Sequence, residues 1–318
     1  MVSPLTGVNL STVDLPPLDN TTAPWPGTFH EVDGHSLHVR ETPGPGPTAV
    51  YVHGLGGSAT NWTDLAQQLS NHVHGYAIDL PGFGRSEPIP GYDFSLSAHA
   101  ETVTRFVERL EKPVHLFGNS MGGAISALVA AQRPDLVRTL TLISPAVPDL
   151  RPHLSRVSDP RLPLAYVPFV GRRVRRQLAQ LTARERTDQM LRLCFAEPGK
   201  VPEHRVEETI RENEERAAQK WAEAALGQST IGLMRAWFAP RGRSLWNVLP
   251  RVQAPTLVVW GVEDKLVTVN KGPRTVRSLR DGRLLVLPRT GHVAQMERPA
   301  TVARAVLGMW EALDRHTW

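Results

Sequence analysis

Hydrophobic and polar positions along this chain fall into two textures. From about residue 28 to 145, and again from about 246 onward, short apolar runs of strand length alternate with stretches whose apolar residues recur at helical spacing. Thr28 to Val32 and Ser36 to Glu41 predict two strands around the turn Asp33-Gly34. Thr48 to Val52, His74 to Asp79, Val114 to Phe117, Leu140 to Ile143, Pro255 to Gly261 and Arg283 to Leu287 predict six more. Between them, 58–70 carries Trp62, Leu65 and Leu69 on one helical stripe, and 95–110 carries Leu96, His99, Val103, Phe106 and Leu110 on another. A closing helix is expected from Pro299 to Arg315. Eight strands alternating with helices predict an α/β architecture.

The second texture occupies 146–245. Strand runs disappear, arginines cluster (Arg172, Arg173, Arg175 and Arg176 among them), and a Glu-, Arg- and Ala-rich stretch over 203–226 reads as helix. The chain therefore divides into an extended arm over 1–27, with Trp25 as its anchor, a core made of 28–145 and 246–318, and a helical insertion over 146–245. The arginines fit a solvated helical face, or else an attraction for anionic substrates or surfaces.

Composition narrows the function by exclusion. Of 318 residues, 41% are hydrophobic and 21% charged, as in an ordinary soluble globular protein. The formal net charge of +5 comes without a nucleic-acid reading module, so no nucleic-acid partner is expected. Cys194 is the one cysteine, which excludes an internal disulfide, and its apolar surroundings read as core rather than as a nucleophile. Neither a metal site nor any other cofactor is implied. The N-terminus lacks a secretory pattern and no apolar run reaches spanning length, so the expectation is a cytoplasmic protein without an integral membrane segment.

The chemistry gathers where strands end. Val114 to Phe117 runs into Gly118-Asn119-Ser120-Met121-Gly122 and then a small-residue helix, the G-x-S-x-G turn that lifts a serine above a sheet. Glycines two before and two after the serine leave room for a strained backbone, and the helix N-terminus faces any anion formed beside Ser120. His53-Gly54-Leu55-Gly56-Gly57 follows another strand but matches neither nucleotide-binding glycine pattern. Asp264 follows one late strand and His292 the next, giving the order Ser…Asp…His.

On these residues, with Asp79-Leu80-Pro81-Gly82-Phe83-Gly84-Arg85-Ser86, Gly261-Val262-Glu263-Asp264 and Gly291-His292, the chain resembles the α/β-hydrolase superfamily over nearly everything except the arm and the insertion. The resemblance implies a mostly parallel eight-stranded sheet flanked by helices, with a helical cap inserted after the sixth strand. It implies Ser120 as nucleophile, His292 as general base and Asp264 as the acid that orients it, with Glu263 as the competing acid and His53 as a structural residue. The N–H groups of Leu55 and Met121 would form the oxyanion hole. Gly54, Asn119, Val293 and Phe169 are candidates for substrate contact.

Serine at the elbow separates the chain from epoxide hydrolases and haloalkane dehalogenases, whose elbow carries aspartate. Gly-Asn-Ser-Met-Gly-Gly is similar to the elbow of hydrolases that cleave carbon–carbon bonds in ring-cleavage products. Their histidine is commonly followed by Trp, where this chain has Val293. The expected activity is hydrolysis of small or medium hydrophobic carboxylic esters, as in monoacylglycerol-lipase-like enzymes. C–C bond hydrolysis and a non-catalytic small-ligand sensor of the same fold are the alternatives.

Overall fold

A computed structural model describes residues 5–18, 23–150, 172–173, 180–240 and 244–318. Among them, nine strands form one sheet: β1 (Leu5–Thr6), β2 (Gly27–Val32), β3 (His35–Thr42), β4 (Thr48–Val52), β5 (His74–Ile78), β6 (Val114–Asn119), β7 (Val137–Ile143), β8 (Thr256–Gly261) and β9 (Gly282–Leu287). Their order is β1-β9-β8-β7-β6-β4-β5-β3-β2. The run from β5 through β4, β6, β7 and β8 to β9 is parallel, while β1 at one end and β3 and β2 at the other are antiparallel additions. Asp33 and Gly34 both take positive φ between β2 and β3, as a two-residue hairpin turn matching strand twist requires.

All eight expected strands are present, and β1 is a ninth. Leu5 and Thr6 pair with Leu285 and Leu284 on the otherwise open edge of β9. Two residues carry no periodic signal, so only the edge they meet makes them a strand. The arm continues along the core: Val8 is buried, and the Ser11 hydroxyl donates to Glu311.

Among the described residues the α-helices with defined bounds are α1 (Thr63–Leu69), α2 (Leu96–Glu108), α3 (Met121–Gln132), α4 (Ala183–Cys194), α5 (Glu203–Ala218), α6 (Ala222–Trp237), α7 (Leu245–Val248), α8 (Gly272–Ser278), α9 (Ala294–Glu297) and α10 (Pro299–Asp314). Strand alternation sorts the core into two layers. Val50, Val52, Leu116, Leu140, Leu142, Val258 and Trp260 pack with α2, α3 and α7 on one face. Ala49, Tyr51, Phe117, Ile143, Leu257 and Val259 pack with α1 and α10 on the other, with Trp62 fully buried among them. Covering both faces is what a parallel sheet requires, and it explains why its strands read as nearly continuous apolar runs.

Between β7 and β8 the described residues hold helices and no strand. The stretch expected to be helical over 203–226 is helical in two pieces, separated at Gln219. Gln219 is extended there, and its side-chain amide donates to the carbonyl of Gly84 at 2.7 Å, so a tertiary contact ends the helix where the sequence has no stop signal. These helices meet the loops that follow the parallel strands. Glu212 accepts from Ser58, Arg85 binds Glu215 through two nitrogens, and Arg205 pairs with Asp64 and Glu208. No helix among the described residues is long and apolar enough to cross a membrane.

Candidate active site

The connection after β4 runs to β5 on one side and the connection after β6 runs to β7 on the other, so the loops after β4 and β6 face each other across the switch point. Ser120 stands there with φ 53° and ψ −118°, a conformation that non-glycine residues avoid. The surroundings hold it: its N–H donates to the carbonyl of Ile143 at 3.0 Å, and its carbonyl accepts from Ala124 at 3.1 Å and Ala146 at 2.9 Å. A Cβ at Gly118 would overlap the carbonyl of Gly122, and one at Gly122 would overlap the carbonyls of Val52 and His53, which is why the turn has glycine at both places. Met121 opens α3, so its N–H belongs to the first turn, whose amides have no partner inside the helix.

The loop after β4 comes in against this turn. A Cβ at Gly54 would stand 3.0 Å from Ser120 Cβ, so Gly54 lets the backbone approach the serine. His53 is fully buried; Leu80 N–H donates to its Nε2 at 3.0 Å, which leaves Nδ1–H to donate to the carbonyl of Gly54 at 2.7 Å. Burial lowers its pKa, more than the nearby Asp79 carboxylate raises it. Both ring nitrogens are occupied in shaping the loop, in line with a structural part. Leu55 is half-buried against the core beneath.

The acid and the imidazole meet from adjacent strands. Asp264 Oδ2 lies 2.9 Å from His292 Nδ1, and both side chains are buried. Asp264 Oδ1 accepts from the N–H groups of Leu266 at 2.9 Å and Val267 at 3.0 Å. A carboxylate only accepts, so Nδ1 of the neutral ring carries the proton and Nε2 keeps its lone pair. Glu263, by contrast, is exposed and accepts from the Thr290 N–H at 2.9 Å.

The substrate-contact candidates separate. Asn119 is buried, and its amide donates to the carbonyls of Ile143 at 3.1 Å and His292 at 3.0 Å, so its side chain braces backbone. Val293 packs with Leu191, Phe195 and Val206 in a small apolar cluster beneath α4 and α5. Gly54 borders Ser120, and Phe169 lies outside the described residues. Burial pushes the Cys194 thiol up to about 12, so its thiolate is scarce.

Two residues take roles in the structure that the sequence reading did not give them. Asp79 is a buried hub that accepts from His38 Nδ1 at 2.7 Å, Ala59 N–H at 2.7 Å and Arg85 N–H at 3.0 Å. Burial raises its pKa, but these hydrogen bonds and the neighbouring imidazoles outweigh it and hold the carboxyl below its usual range. Glu297 has its carboxylate against the turn that carries His292. Its position five residues after the histidine, closing an otherwise uncharged run, was the available hint. A charged cleft of about 270 Å³ beside Asp79, Arg85, Glu212 and Arg216 contains none of Ser120, Asp264 or His292. Among the described residues no cluster of His, Cys, Asp and Glu is arranged to hold a metal.

A mostly parallel sheet of this order, with a strained serine turn at its switch point and an Asp–His pair after β8 and β9, defines an α/β-hydrolase. The chain belongs to the alpha/beta hydrolase fold family, whose sequence pattern matches residues 47–299. It is 30% identical over 289 residues to monoacylglycerol lipase abhd6-B of Xenopus laevis, covering 87% of this chain and 80% of that one. A membrane phospholipase A, described as a bacterial virulence factor, superposes with a TM-score of 0.74 at 27% identity, over 91% of this chain and 86% of the other. A serine hydrolase involved in carbazole degradation shares the fold, with a TM-score of 0.70 at 22% identity over 90% of this chain and 99% of its own. The chain is thus a lipase- and esterase-like hydrolase.

Proposed function

We propose that the protein hydrolyses small or medium hydrophobic carboxylic esters through an acyl-enzyme on Ser120. The observation that carries this reading is the buried hydrogen bond between Asp264 and His292 at the ends of β8 and β9, with Asn119 tying the His292 backbone to the strained serine turn. Ser120 Oγ attacks the ester carbonyl while His292 Nε2 takes its proton, and Asp264 stabilises the imidazolium. The N–H groups of Met121 and Leu55 receive the oxyanion. The imidazolium then protonates the leaving alcohol. Water, deprotonated by His292, attacks the acyl carbonyl, and collapse returns the proton to Ser120 and releases the acid.

Residues 146–245 act in this reading as a cap. Leu226 on α6 supports it: the side chain is partly exposed, and its Cδ1 lies 3.6 Å from where a Cβ of Gly56 would stand, which sets an apolar group over the oxyanion loop. An apolar wall suits an acyl chain or hydrophobic alcohol. The name of the Xenopus laevis relative points to monoacylglycerols as the substrates to try first.

A fluorophosphonate probe tests the mechanism, together with p-nitrophenyl esters of increasing chain length and a vinylogous diketone. The expected result is labelling at Ser120, ester turnover, and loss of both in Ser120→Ala with the fold intact. Because only the neutral imidazole is a base, kcat/KM should rise as pH increases from acid. Labelling elsewhere would sink the mechanism, and faster turnover of the diketone than of any ester would replace ester hydrolysis by C–C cleavage.

A further inference from the structure

The turn that carries the imidazole is bonded on its outer side to the segment that ends α4. His292 N–H donates to the carbonyl of Cys194 at 2.7 Å. Cys194 is the last residue of α4, so this carbonyl is one of those a helix end leaves without an internal partner. One residue earlier, Gly291 N–H donates to Glu297 Oε1 at 2.6 Å. Glu297 Oε2 accepts from Ala196 N–H at 2.9 Å, and the backbone N–H of Glu197 adds to the same carboxylate. Arg298 supports the junction, binding Glu197 at 3.0 Å and the carbonyl of Arg289 at 2.9 Å. One carboxylate thus spans two backbone segments that lie about a hundred residues apart in sequence.

We propose that Glu297 is a positioning residue that locks the Gly291-His292 turn to the end of α4, so that the aim of the imidazole depends on the insert helices. This rests on the proposed role of His292 as the base. Asp264 fixes the ring through Nδ1, but a side-chain hydrogen bond leaves the ring free to swing with its backbone. Three further ties remove that freedom: the amide of Asn119 on the His292 carbonyl, the Cys194 carbonyl on its N–H, and Glu297 on the preceding residue. Two of the three lead to the segment at the end of α4. The insertion therefore does more than select substrates: turnover of an ester too small to touch it depends on it as well. The carbonyl end of α4 also turns its negative pole toward His292, which favours the imidazolium formed during the reaction.

The chemistry of the carboxylate makes this testable. Glu297→Gln replaces one acceptor by an NH2 group that faces a backbone N–H, so only one of the two segments stays bonded. Glu297→Asp keeps both oxygens on a stem one methylene shorter and cannot span the gap fully. Glu215→Gln is the control, because it neutralises another contact between the insertion and the core, the ion pair with Arg85, which makes no bond to the Gly291-His292 turn. Each full-length variant is titrated with the fluorophosphonate to count reactive Ser120, and kcat and KM are measured per labelled site on p-nitrophenyl acetate. Glu297→Gln should lose about 10- to 100-fold in kcat, the scale expected when a reacting group is slightly misplaced, with KM unchanged. Glu297→Asp should fall between it and wild type, and Glu215→Gln should match wild type. Wild-type kcat per labelled site in Glu297→Gln, even with lowered thermal stability, would reduce Glu297 to a structural residue and overturn the proposal. If Glu297→Gln does not fold, wild-type kcat in Glu297→Asp overturns it equally. Failure to label Ser120 in the wild type would instead remove the underlying role of His292.

Discussion

The side-chain amide of Asn119 donates to the backbone carbonyl of His292 at 3.0 Å, joining the residue before the serine to the loop after the last strand. The same amide holds the carbonyl of Ile143, from which Ser120 hangs by its own N–H. Serine and imidazole are thus referred to one planar group. Asn119→Ala leaves the His292 carbonyl without this donor, at a cost of about 1–3 kcal/mol if nothing replaces it, while the Ile143 carbonyl keeps the Ser120 N–H. The expected outcome is a lower unfolding midpoint together with a fall in kcat on every ester tested. A variant with altered KM only, and unchanged kcat, would mean that Asn119 contacts substrate after all.

Asp264→Asn should be far more damaging than its small change in shape suggests. The amides of Leu266 and Val267 both point at Oδ1, so the asparagine must keep its oxygen there and turn its NH2 group toward His292 Nδ1. A donor at that place forces the proton onto Nε2, the nitrogen that must accept from Ser120. A loss in kcat of about 10⁴-fold is expected, as for the wrong tautomer in serine-protease triads. Glu263→Gln, on the exposed neighbour, should stay close to wild type, and steady-state kinetics on the pair decides between the two acids.

Acid stability should carry the mark of His99. Its ring is buried, with Tyr92 Oη 3.1 Å from Nδ1 and Ser229 Oγ 3.4 Å from Nε2, and burial brings its pKa down to about 3, with smaller contributions from His53 and His35. His115 is likewise brought to about 3, chiefly by burial. An unfolded histidine titrates near 6.5, so below that pH the unfolded chain binds a proton that the folded ring refuses. The contribution of His99 is therefore complete above about pH 6.5 and is lost as pH falls toward about 3. Each such ring adds about 1.4 kcal/mol per pH unit to the slope of stability between those limits. Urea unfolding from pH 7 to pH 4 should show that slope reduced by about this amount in His99→Gln; an unchanged slope would mean that the ring is charged in the fold.

Substrate length should respond to Leu226. Leu226→Trp narrows the space over the oxyanion loop and should shift the preference toward shorter acyl chains. Leu226→Ala should shift it toward longer or bulkier ones. Ratios of kcat/KM across an ester series measure this, and an unchanged ranking in both variants would move the selective wall to other parts of the site.

Much of the molecule was legible in the sequence because its signals are local. A strand buried on both faces must be apolar along its length, so β4, β6, β7, β8 and β9 were visible as runs. The turn at Asp33-Gly34 and the elbow at Ser120 were visible because positive φ and close packing restrict which residues fit. The order Ser120, Asp264, His292 could be read because each residue follows its own strand. Tertiary structure decided what depends on partners far along the chain. β1 exists because β9 offers an open edge, and the 203–226 stretch breaks because Gln219 reaches Gly84. Asp264 rather than the adjacent Glu263 faces the imidazole because of the direction in which the loop after β8 turns. In sequence Asn119 reads as a candidate for substrate contact and Glu297 as a polar residue with no assigned role; their backbone partners, Ile143 and His292 for the one, Gly291 and Ala196 for the other, come together only when the strands and insert helices are packed. A hydrogen bond between distant segments leaves no period and no spacing behind, so it becomes visible only once the chain has folded.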